Sequence, residues 1–369
     1  MSLKFDTKFS IIFLCTLFVY MPLCAQTRLK LDIENKSKNT ISDYLVEIPV
    51  GELNLKIGNY KITSAGKDVS PIELVTDIKG NQKAVALIPA IAPNQKLIFT
   101  IERGEMDSYP KRTSAELSHK IGGQFVGRKY EGGYSWVKIP SITLPGTFED
   151  HSYFIKYEGP GWESDKVAFR FYLDNRNAID VFGKKTEGIV LPGVGIDGFD
   201  NYHKMADWGM DNMKVGKSLG IGSIASWNGN TAVRIEQKDS TTCSITADGK
   251  LRSQIKTTYH GWKTGDRKID LISMITIDAG NRGSHIELLA SEAMDNLATG
   301  IIKQNTAKLS VRNQLGEEWS YIATFGKQSL NDDMQGLAVF VRTKDIVRIT
   351  EDKLNHVVVL KTNKQGYVD

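Results

Sequence analysis

The chain has 369 residues, 41% of them hydrophobic and 24% charged, with a formal net charge of +4. That length can bury a full core without disulfide or metal staples, and it suggests roughly two domains. A charge this close to neutral excludes the global field that recruits nucleic acid.

The first element is a targeting signal. Lys4 and Lys8 flank the start, Ile11 to Phe18 form an apolar run, and Leu23-Cys-Ala25 precedes Gln26. This is the layout of a secretory signal peptide, residues 1–25, cleaved after Ala25. The run is too short for a membrane span, and Pro22-Leu23 is a poor match for a lipid anchor on Cys24. The mature protein is therefore expected to be periplasmic or secreted. Loss of Lys4, Asp6 and Lys8 takes the charge from +4 to +3. Cys15 and Cys24 leave with the signal, so Cys243 is alone and no internal disulfide can form. A thiolate zinc site is excluded as well. Thr241-Thr-Cys-Ser-Ile-Thr246 alternates like a strand, which makes Cys243 a small buried hydrophobe.

Residues 26–105 read as a small β-sandwich module. Leu29–Ile33, Asp43–Pro49, Ala84–Pro89 and Lys96–Ile101 are strand-like runs, separated by Gly, Asn and Pro turns. Gly104 to Thr113 is a charged linker. From there to residue 369, strands dominate again: Ala168–Leu173, Thr231–Glu236, Ile269–Ile277, His285–Leu289, Leu337–Val341 and His356–Leu360. Helical periodicity is scarce, with room for a turn or two in Tyr202 to Lys214. Many strands and few helices point to a mainly β protein, its residues 106–369 forming a large antiparallel β-sandwich. The sequence ends just after a strand pattern, which leaves room for a further strand.

The chemistry concentrates between Tyr157 and Trp227. Residues 159–222 hold 11 of the 33 glycines, interleaved with aromatic, acidic, basic and histidine residues. Glycine lets a backbone bend sharply and approach a ligand closely. Tyr157-Glu-Gly-Pro-Gly-Trp-Glu-Ser-Asp165, Phe169-Arg-Phe-Tyr-Leu-Asp174, Asp180-Val-Phe-Gly-Lys-Lys185, Asp197-Gly-Phe-Asp-Asn-Tyr-His203, Asp207-Trp-Gly-Met-Asp211 and Lys214-Val-Gly216 together resemble the domain-of-unknown-function family 4861. Weaker similarity covers most of the mature chain. The resemblance implies a β-sandwich related to the galactose-mutarotase and polysaccharide-lyase sandwiches. It also implies a role beside lyases and unsaturated-uronyl hydrolases. One branch of that family is a dehydratase acting on the non-reducing-end uronic acid of ulvan oligosaccharides.

The implied reaction sets requirements. Dehydration of a uronate removes the C5 proton beside the carboxylate and expels the C4 hydroxyl. A site must neutralise the carboxylate, supply a base and protonate the leaving oxygen. His203 is the first candidate for base or acid, since it sits among polar residues in Asp200-Asn-Tyr-His-Lys204. Tyr202 is its neighbour; on a strand the two would face opposite ways. His151, beside Asp150, reads equally as a catalytic group or a turn histidine. His260, between Tyr259 and Trp262, suits a sugar rim. His119, His285 and His356 read as structural. Arg170, flanked by Phe169 and Phe171, is either a carboxylate clamp or a buried ion-pair residue. Arg128 and Lys184 are the other cationic candidates. Trp162, presented by the turn after Tyr157, and Trp208 either stack on a sugar or fill the sandwich edge; Trp136 and Trp227 read as core. Asp207 is a further substrate-binding candidate.

Asp197, Asp200, Asp207 and Asp211 also resemble a calcium group, but the spacing departs from an EF-hand and no bidentate Glu closes it. The same acids leave a paired-carboxylate glycosidase open. The expected protein thus needs no cofactor and acts on an acidic oligosaccharide, by dehydration or β-elimination. The alternatives are a non-catalytic carbohydrate-binding protein and a sugar epimerase or mutarotase.

Overall fold

The computed structural model describes residues 29–53, 58–149, 151–196 and 201–369. The expected signal peptide (residues 1–25), Asp150, Asp197 and Asp200 lie outside the described residues.

Six strands form the N-terminal module: β1 (Leu29–Glu34), β2 (Ile41–Pro49), β3 (Tyr60–Ser64), β4 (Lys67–Thr76), β5 (Gln82–Ile91) and β6 (Lys96–Arg103). They join in one sheet of order β1-β6-β3-β4-β5-β2. Its alternating apolar residues, among them Ile48, Ile62, Ala86, Ile88 and Phe99, gather in a core of their own. The linker does more than connect. Arg112 bonds Asp43 of the module at 2.7 Å and Asp165 of the main body at 2.8 Å.

The main body continues with β7 (Thr113–Glu116), β8 (Ser118–Val126), β9 (Lys129–Lys138), β10 (Ser141–Pro145), β11 (Gly161–Ser164), β12 (Ala168–Phe171), β13 (Ile179–Lys184) and β14 (Gly209–Asp211). Then come β15 (Ala225–Trp227), β16 (Ala232–Arg234), β17 (Ser240–Asp248), β18 (Arg252–Thr264), β19 (Arg267–Asp278), β20 (Ser284–Ala290) and β21 (Leu297–Ile302). The last are β22 (Ala307–Arg312), β23 (Trp319–Lys327), β24 (Met334–Arg342), β25 (Ile346–Glu351), β26 (Asn355–Leu360) and β27 (Tyr367–Val368).

These strands build antiparallel sheets of order β10-β17-β18-β19-β20-β27, β14-β13-β12-β11-β7, β16-β15-β21-β26-β25 and β22-β23-β24, plus the β8–β9 hairpin. One large apolar core lies among them. The protein is mainly β and sandwich-like, as its alternation predicts. The Tyr202 to Lys214 stretch holds one 3-10 turn, Asn201–His203, and then β14. No helix among the described residues is long and apolar enough to cross a membrane.

The β12–β13–β14 ribbon positions the site. Side chains alternate across a strand. Phe169, Phe171, Ile179 and Val181 therefore enter the large core, while Ala168 and Phe182 belong to a separate small cluster on the other face. Arg170 and Asp180 share that second face, directly opposite each other in the register, and Phe182 stands opposite Asp211. Residues 155–159 and the turns around Leu191 and Tyr202 cover it. A glycine makes the cover possible: a Cβ at Gly159 would sit 1.8 Å from the carbonyl oxygen of Phe171.

Candidate functional site

Arg170 is the hub of a buried polar network. Its Nε donates to Asp180 at 3.3 Å. One Nη2 group donates to Asp211 at 2.5 Å, Asp180 at 3.0 Å and the Tyr172 hydroxyl at 3.0 Å. Nη1 donates to the Tyr202 hydroxyl at 3.0 Å and the Tyr157 carbonyl at 3.4 Å, and lies 3.5 Å from Glu158. A guanidinium has five N–H donors, and these partners account for all of them. Of the two sequence readings of Arg170, the structure gives the buried ion pair. It is not available to clamp a substrate.

Carboxyls outnumber cations here. Glu158, Asp174, Asp180 and Asp211 surround Arg170 and Arg176. Burial, then the nearby Asp180, raises the Asp211 pKa to about 8 despite the Arg170 charge. Asp211 therefore tends to hold a proton at neutral pH. Its Oδ2 lies 3.3 Å from Nε2 of His203, whose side chain is one-third exposed. Burial also pushes the Tyr202 phenol well up, so it stays protonated. The His203 and Tyr202 rings are 4.5 Å apart.

Tyr202 faces a groove of about 430 Å³, within the usual range for small-ligand sites. Its walls are Tyr157, Tyr202, Tyr130, Tyr134, Trp136, Tyr153 and Lys120, with Gly195 and Ile196 beside them. The β8–β9 hairpin supplies one wall. It is pinned to the 152–155 segment by Lys120 N–H to Phe154 at 2.8 Å and Tyr130 N–H to Ser152 at 2.7 Å. The opposite wall is strained. His151, Tyr153, Tyr157 and Glu158 have φ values of 54°, 57°, 45° and 68°. Left-handed backbone at tyrosine and glutamate costs roughly 1–3 kcal/mol per residue and clusters at functional sites. Three ion pairs hold the segment: Glu158 to Arg176 at 2.6 Å and to Arg170 at 3.5 Å, and the neighbouring Lys156 to Glu116 at 3.0 Å.

The structure thus brings together His203, Tyr202, Tyr157 and Arg170. His151 lies close by, its N–H 3.4 Å from Glu158. Trp208 packs edge-on to Phe182 at 6.0 Å, within the small cluster beneath the groove. Other sequence candidates go elsewhere. Trp162 is 1% exposed, stacks on Phe169 and donates to Ser284 at 2.8 Å, so it fills the core instead of seating a sugar. Lys184 is buried and bonds Glu163 at 2.8 Å. Arg128 stands at the exposed hairpin tip, 3.2 Å from Glu149. His260 is exposed on β18, 3.7 Å from Asp270; its neighbours Tyr259 and Trp262 are core residues, not a sugar rim. Asp207 is exposed, while Asp211 is engaged by Arg170, so the two do not form the calcium group read from their spacing. Among the described residues, no cluster of three or more His, Cys, Asp or Glu converges on a metal position.

Sequence reasoning missed the hairpin wall. Trp136 is half-buried in the groove and is not core as expected, whereas Trp227 is core. The signal was present: Tyr130, Tyr134 and Trp136 recur at even spacing on one strand, on either side of the Gly132-Gly133 pair.

Residues 33–369 match the family described as a domain of unknown function, DUF4861. The chain belongs to that family. A protein of Formosa agariphila described as uncharacterized protein P7 is 25% identical over 218 residues, 50% of this chain and 49% of that protein. The chain spans about half the length of this curated relative. A crystal structure of a glycosyl hydrolase family 38 protein from Enterococcus faecalis aligns with 90% of this chain and 43% of that one. Identity is 9% and the TM-score 0.34, too distant to inform fold or chemistry.

Proposed function

We propose that this DUF4861 protein is an exported, carbohydrate-active enzyme that dehydrates the terminal uronic acid of an acidic oligosaccharide. The observation that carries the reading is the Asp211–His203 pair, 3.3 Å apart, linked through buried Arg170 to the hydroxyl of Tyr202, which lines the aromatic groove. The family membership and its carbohydrate association support the substrate class. Export rests on the first 25 residues alone.

In this mechanism the terminal sugar lies against the aromatic wall. His203 takes the C5 proton. The C4–O bond breaks, and its electron pair leaves with the hydroxyl. The departing oxygen accepts a proton from Tyr202 or from the proton held by the Asp211–His203 pair, giving water. The C5–H electron pair becomes the C4–C5 double bond, conjugated with the carboxylate. Tuned acid–base pairs of this kind contribute about 10²–10⁴-fold to rate.

The test is ultraviolet absorbance of the new double bond on incubation with saturated uronate-ended oligosaccharides. His203→Ala should abolish that signal with an unchanged circular dichroism spectrum; full activity in the variant would reject the assignment. Binding with no absorbance would favour a binding protein, which needs the groove and not the acid–base pair. Conversion of the C5 configuration without absorbance would favour an epimerase.

A further inference from the structure

We infer that Lys120 is the group that recognises the anionic end of the sugar, a role that rests on the groove being the substrate site. The reaction class needs a cation at the carboxylate, and the three expected for it, Arg170, Lys184 and Arg128, are engaged elsewhere, Arg128 with Glu149 at 3.2 Å on the hairpin tip, as are Lys156, Lys138 and Arg176. Arg170 is consumed by Asp180, Asp211 and two phenols. Lys184 is held by Glu163, Lys156 by Glu116, Lys138 by Asp248 and Arg176 by Glu158 and Asp174.

Lys120 differs. It lines the groove with Tyr157 and Tyr202 and is half-buried. No carboxylate among the described residues forms an ion pair with its ammonium. Instead the ammonium lies 5.9 Å from the ring of Trp136, its cross-strand partner. An aromatic face attracts a cation without neutralising it, so the charge remains available to a ligand.

The hairpin is built around this side chain. Gly133 has φ +90°, and a Cβ there would come within 3.1 Å of Lys120 Cδ and Cε and 2.9 Å of the Ile121 carbonyl oxygen. Glycine at that position lets the lysine stem cross the opposite strand toward the groove. Lys120 therefore distinguishes an acidic sugar from a neutral one. It sets affinity and leaves the proton transfers to others.

The test uses two ligands: a 4,5-unsaturated uronate-ended oligosaccharide, which cannot undergo elimination again, and its carboxyl-reduced neutral counterpart. Calorimetric titration of the wild-type protein should show the acidic ligand bound about tenfold or more tightly, the scale of a charge-assisted contact. Lys120→Met keeps the alkyl stem over Trp136 and should bind both ligands alike. Lys120→Arg should retain most of the preference. A Lys120→Met protein that keeps the wild-type preference, or a wild-type protein with none, overturns the inference. Turnover of saturated substrate, measured in parallel, separates the two ideas. Turnover with a Lys120-independent preference leaves the enzyme reading standing and removes this one. A preference lost in Lys120→Met without any turnover does the reverse.

Discussion

Replacing Asp211 by Asn probes the site most directly, because its sign depends on where one proton resides. The ordinary value for this carboxyl is 3.8, and the folded value is about 8. Between those limits the unfolded chain has lost the proton and the native state keeps it. Stability then falls as pH rises, since the native state binds more protons. The slope is at most about 1.4 kcal/mol per pH unit, so pH 4 to 6 accounts for roughly 3 kcal/mol. Asn cannot ionise and keeps the carboxyl's shape. The wild type should therefore lose ground to Asp211→Asn by roughly 3 kcal/mol over that interval, and the difference should level off above pH 8. Urea unfolding of both proteins at unit pH steps, with matched slopes in urea, measures it. If Arg170 instead keeps Asp211 ionised in the native state, the wild type will be more stable by a constant margin from pH 5 to 8. That result would refute the protonated carboxyl and the proton-sharing pair with it.

Arg170→Met should destabilise the protein by about 3–5 kcal/mol, because Asp180 and Glu158 lose a shared buried cation and Asp211 loses a hydrogen-bond donor. Urea unfolding at pH 7 checks it, and wild-type stability would return Arg170 to the role of substrate clamp. Cys243 is fully buried, and burial pushes its thiol up to about 12. A chromogenic thiol reagent should therefore give no colour with native protein lacking residues 1–25 at neutral pH and one equivalent with the same protein in denaturant; rapid labelling of native protein would contradict the burial.

Much of the fold is legible in local pattern. The runs at Leu29–Ile33, Ala168–Leu173, Ile269–Ile277 and His356–Leu360 all contain strands, because alternation follows from the two-residue repeat of the extended chain. Phe169-Arg-Phe171 shows the limit. Alternation requires Arg170 to face away from its phenylalanines. It says nothing of what waits there. Asp180 and Asp211 reach Arg170 only through the pairing of β12, β13 and β14.

The histidines make the same point. His203 and His260 both sit beside aromatic and polar residues in sequence, yet one contacts Asp211 and the other lies on an exposed sheet face. Composition and period were enough to determine a mainly β chain and to single out the glycine-rich stretch between Tyr157 and Trp227 as the place to look for a site. Only the tertiary structure decided that Arg170 is buried, that Trp162 is core, and that the β8–β9 hairpin closes the groove. Strand period is set by neighbouring covalent geometry, whereas contacts between distant segments depend on sheet register and on which surfaces the whole chain can bury.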